Sequence, residues 1–251
     1  MSGCRGNDPI SKSDYQSRFK ATLKLMAAIA VVLVCAAVNR LLASDFLRSQ
    51  VLDVLRLCDI IVVFILTPGL VLLTHRLLVI TSSSDRSKGK SEWLLFVIGV
   101  YLLGVGFGMH EPMNVLSTFS VKQESLRRSI QFFDDGLGHW VFFAGFMLLV
   151  LAIVRGETKN PLPESFQWIG NVTVGITGIS VGTVIFINMY REDTLVDLIV
   201  LGLTLLVSLA FWLQSKNRNW QRLPMTAAIV LAFFLGIAGT LLYWWFANVL
   251  A

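Results

Sequence analysis

Charge is scarce in this chain. Only 15% of its 251 residues are Asp, Glu, Lys or Arg, against about 25% in an ordinary soluble domain. The deficit is uneven, with long apolar runs alternating with short polar stretches. Histidine is rarer still, at three residues: His75, His110 and His139. The three cysteines, Cys4, Cys35 and Cys58, have neither metal-ligand nor redox spacing, which argues against a disulfide framework. Position 2 is Ser, so the N-myristoylation pattern is absent. No Walker, dinucleotide-binding, His-Glu-x-x-His or Gly-x-Ser-x-Gly pattern is present. Repeats and low-complexity tracts are missing, as is the inverted repeat of many secondary transporters.

What remains is apolar length. A spanning helix needs about 20 mostly apolar residues, and seven stretches qualify: Thr22–Leu42, Leu52–Thr74, Glu92–Met109, Leu137–Val154, Gln167–Met189, Leu195–Leu213 and Met225–Asn248. The third and fourth are short unless they extend into the polar residues at their ends. The second is expected to run on toward Ile80 with a kink near Pro68. The first reads as a retained anchor, because no clean cleavage site follows it. The predicted fold is all-α: a polytopic seven-helix membrane bundle over residues 22–251, preceded by a tail at residues 1–21.

Lys and Arg orient it. With the N-terminus inside, the cytoplasmic segments hold fourteen of these residues and the opposite side seven. The N-terminus is therefore expected to be cytoplasmic and the C-terminus non-cytoplasmic. The net charge of +5 then belongs to loops near anionic lipid, not to a nucleic-acid groove. Glycines add a packing signal. Gly104 and Gly108, then Gly175, Gly178 and Gly182, then Gly236 and Gly239, are spaced for close helix approach.

Polar residues inside a membrane mark function or a paired structural contact. In this topology they fall almost wholly in the outer halves of the spans, leaving the inner halves nearly bare apart from Asn171 and hydroxyls. The densest part is Gly108-Met109-His110-Glu111-Pro112-Met113-Asn114, facing Phe132-Phe133-Asp134-Asp135-Gly136-Leu137-Gly138-His139-Trp140. Helical spacing puts Asp135 and His139 on one face. Together with His110 they form a two-imidazole, one-carboxylate set suited to a divalent metal such as zinc. Glu111 or Asp134 would serve as general base or orient a ligand. Pro112 is expected to end or kink the third helix near His110. Two plainer readings stand beside this one: Asp134 and Asp135 cap the fourth helix, or the cluster handles protons without metal.

A second group, Asp53, Arg56 and Asp59, has ion-pair spacing on the second span. Asp193 and Asp197 read as caps of the sixth. Residues 115–131 suggest a short amphipathic surface helix. The last span has no lysine to carry retinal and no histidine. The leading expectation is a metal-dependent membrane hydrolase acting on a lipid or amphipathic substrate. The alternatives are a transporter or sensor that binds a solute, ion or proton, and a scaffold subunit.

Overall fold

The computed structural model describes residues 12–42, 61–81, 89–117, 123–162, 168–192, 195–215 and 219–250. Among these there is no strand. The helices are α1 (Lys12–Leu42), α2 (Thr67–Thr81), α3 (Lys90–Ser117), α4 (Glu124–Gln131), α5 (His139–Lys159), α6 (Trp168–Glu192), α7 (Leu195–Gln214) and α8 (Pro224–Leu250). Wide π-helical turns, Val62–Leu66 and Phe132–Gly138, lead into α2 and α5. Seven helices are long and apolar enough to cross a membrane. By length and composition they are those of an integral, multi-pass membrane protein.

Several boundaries differ from the sequence expectation. The first span belongs to a longer helix that begins at Lys12, inside the expected tail. The second runs on to Thr81, with a widened turn directly before Pro68. The third does not stop near His110, because α3 continues through Pro112 to Ser117. Pro112 sits on the exposed side, so its ring meets no partner helix, and α3 continues without the one bond to the Gly108 carbonyl that its missing N–H would have made. Part of the segment expected to form a surface helix is helical, as α4, which flows through the π turn into α5. The short third and fourth spans thus gain length from their polar ends.

Helices α3 and α5 pack closely, as do α6 and α8, while α7 lies against α5. Lipid is as apolar as leucine, so close backbone approach does much of the holding. Gly104 and Gly108 do not provide it: a Cβ on either meets only open space. The contact runs along Gly99, Leu103, Gly106 and His110, spaced four, three and four, against Gly138, Phe142, Gly145 and Leu149, spaced the same way. A Cβ on Gly106 would lie 2.5 Å from the Phe142 backbone, and one on Gly145 would lie 2.8 Å from the Gly99 carbonyl oxygen. The other glycine expectation divides. Gly175 faces open space, whereas Gly178, Gly182, Gly236 and Gly239 seat α6 against α8.

The end of the bundle away from the histidines also buries carboxylates. Glu92 and Glu157 are each only 1% exposed at the end of the bundle where α3 starts and α5 finishes. Lys159 Nζ lies 2.5 Å from Glu92 Oε1, and Arg155 Nε lies 3.3 Å from it. Glu157 accepts hydrogen bonds from the Met225 N–H (3.0 Å), the Thr226 N–H (2.6 Å) and the Thr226 hydroxyl (2.7 Å). It therefore caps α8 from a neighbouring helix. In the sequence Glu157 sits between Arg155 and Lys159 and reads as part of a solvated loop.

Candidate functional site

The opposite end of the bundle carries two histidine–aspartate pairs. His110, on the α3 stripe that faces α5, has Nδ1 2.6 Å from Asp134 Oδ1. His139, the first residue of α5, has Nδ1 3.4 Å from Asp197 Oδ1 on α7. Asn188 of α6 donates to the other oxygen, Oδ2, of Asp197 at 3.3 Å. The two imidazoles touch edge to face, with centroids 4.8 Å apart. Four α-helices and the π turn thus supply one connected cluster.

The cluster is withdrawn from solvent. Asp197 is fully buried, and His139 and Asp134 are nearly so. His110 is partly buried. Beneath the cluster, Phe143 packs on His139 and Phe142 on Phe107. With both rings neutral, the two carboxylates leave the cluster with two negative charges in an apolar bundle. Such a charge is costly unless it is balanced. Two protons on the rings, or one divalent cation, would balance it.

Of the two aspartates in the π turn, Asp134 is the one whose side chain is described, and it meets His110. In a regular α-helix Asp135 and His139, four apart, share a face. Asp134 and His139 are five apart, and both meet His110. Gly138 makes the approach possible: a Cβ there would lie 2.5 Å from the Phe133 carbonyl oxygen and 3.4 Å from His110.

The other sequence candidates divide. Asp197 lies in the first turn of α7 and is also buried and bound to His139. Asp134 does not cap a helix start, since the chain is helical on both sides of it. Glu111 follows His110 on α3 and is half-buried. The side chains of Asp135 and Asn114 lie outside the described residues, as do Asp53, Arg56, Asp59 and Asp193. Among the described residues no three His, Cys, Asp or Glu groups converge as a ready metal site. The bond between His139 and Asp197, and the support from Asn188, were not evident from linear spacing. The available signal was that Asn188 and Asp197 flank the α6–α7 turn at the same end as His139. Comparison with known families, curated proteins and solved structures finds no match.

Proposed function

We propose that the histidine end faces the non-cytoplasmic side of a membrane and holds a divalent metal ion such as zinc. The ion would activate water against a lipid or other amphipathic substrate. One observation carries this reading: two imidazoles in contact, each with Nδ1 turned onto a carboxylate. That is the arrangement in which a carboxylate fixes a metal-binding histidine and raises the basicity of its other nitrogen. Two imidazoles sharing a zinc ion at about 2.0 Å per nitrogen have centroids roughly 5 Å apart at near-tetrahedral angles. The observed 4.8 Å agrees with this.

In this reading His110 and His139 are ligands and Asp135 is the third. Asp134 and Asp197 orient the rings, and Glu111 is the general base. The ion's two positive charges offset two of the three carboxylates that this arrangement gathers. Fourteen Lys and Arg on one side against seven on the other support the orientation. The test is metal analysis of protein purified without chelator, wild type against His139→Ala. The expected result is about one zinc-like ion per chain in the wild type, with most of it lost in the variant. Sub-stoichiometric metal in both sinks the proposal.

A second reading has its own support. Asp197, Thr204 and Ser208 are all fully buried along one face of α7, and Ser208 Oγ has no hydrogen-bond partner among the described residues. This polar stripe leads inward from the histidines, as a proton- or ion-binding transporter or sensor would require. Metal-free wild-type protein, with a stability that changes between pH 5 and 8 only while both histidines are present, would select it.

A further inference from the structure

The other end of the bundle holds a separate groove of about 490 Å³ between the ends of α5 and α7. Arg155, Thr158 and Lys159 line one side, and Phe211, Gln214 and Ser215 the other. Its volume is in the range of small-ligand sites, and its walls are mixed. Phe211 gives it an apolar side, over which the Arg155 guanidinium sits 5.6 Å from the ring centroid. Gln214 and Ser215 give it a polar one.

Among the described residues its charge is not closed internally. Two cations, Arg155 and Lys159, share one carboxylate, Glu92, which leaves a surplus positive charge. Arg155 spends only Nε on Glu92 and Ser91. Its two terminal nitrogens have no partner among the described residues. They form a planar fork of N–H donors on the groove wall, a geometry matched to a phosphate. Lys159, with Nζ on Ser91 and Glu92, supplies a point charge beside it. The sequence continues from Ser215 into Lys216 and Arg218. The groove lies where apolar helices give way to this basic segment, the depth at which a phospholipid places its phosphate.

We propose that this groove binds the head group of an anionic phospholipid. Arg155 and Lys159 hold the phosphate, Gln214 and Ser215 hold the polar part beyond it, and Phe211 faces the start of the acyl chains. Glu92 keeps the two cations in place. It also competes with the phosphate for them, so removing its charge should strengthen binding.

The test is native mass spectrometry of the full chain in detergent, titrated separately with phosphatidylglycerol, phosphatidylcholine and inorganic phosphate. Wild type is expected to retain phosphatidylglycerol at about tenfold lower concentration than phosphatidylcholine, because both carry the phosphate but the choline cation is repelled by the surplus positive charge and cannot hydrogen-bond to Gln214 and Ser215 as glycerol hydroxyls can. Inorganic phosphate is expected to give no retained adduct. Arg155→Gln should abolish the preference. Because Arg155 also supports Glu92, Gln214→Trp provides the variant that fills the groove and leaves the ion pairs untouched, and it should abolish the preference too. Glu92→Gln should sharpen it. Equal retention of the two lipids by wild type, or a preference that survives both Arg155→Gln and Gln214→Trp, overturns the proposal. So does binding of inorganic phosphate with no lipid preference, which would identify a soluble anion instead.

Discussion

Glu157 shows how much one side chain can hold. Its carboxyl accepts three hydrogen bonds from the start of α8, all of them buried. Removing it leaves two backbone N–H groups without a partner, each worth about 1–3 kcal/mol when buried. Glu157→Ala is therefore expected to destabilise the bundle by about 3 kcal/mol, read as a lowered melting midpoint in detergent. Glu157→Gln keeps an acceptor and should lose clearly less. Equal loss in the two variants would mean that α8 requires both carboxylate oxygens or their charge there, and that a single acceptor is not enough. Nothing in the local sequence announces this role. A glutamate flanked by Arg155 and Lys159 reads as solvated, and its partner lies more than sixty residues away. His110 and His139 were legible, by contrast, because histidine is rare here and both fall at the ends of adjoining apolar runs.

At the scale of elements, the seven apolar helices could be read from length and hydropathy, because a membrane constrains both. Which face of each helix meets a neighbour could not. Gly104 and Gly108 carry the familiar spacing yet point to open space, while Gly99, Gly106 and Gly145 make the contact. Small residues permit close approach from whichever side the partner stands, and one sequence does not say which side that is. The π turn at Phe132–Gly138 was hidden for a related reason: a 3.6-residue period carries no sign of a local widening of the helix. Two substitutions separate these cases. Gly138→Ala puts a carbon against the Phe133 carbonyl oxygen and His110. It is expected to destabilise the α3–α5 contact by about 1–3 kcal/mol and to weaken any metal retention. Gly104→Ala, on an open helical face, should be neutral or stabilising by up to about 1 kcal/mol. Thermal unfolding of both in one detergent would check this, and equal losses would contradict the assigned interface.

At the scale of the whole molecule, the two ends differ in chemistry. One gathers His110, His139, Asp134 and Asp197, and the other gathers Glu92, Arg155, Lys159 and Glu157. With Cys4, Cys35 and Cys58 replaced by serine, a single cysteine at Ala251 is expected to react with an impermeant maleimide on intact cells, and one at Ser13 only after lysis. The reverse pattern would invert the proposed orientation. The cap on α8 also bears on how the chain is made. Glu157 leaves the ribosome 68 residues ahead of its first partner, the amide of Met225. At about 5–20 residues per second that is a wait of roughly 3–14 s. During this interval α5 carries a carboxyl group with no α8 amides to satisfy it. Arrival of the last helix completes the one before it, so a nascent chain that stops short of Met225 presents the cell with an unfinished membrane segment, open to degradation.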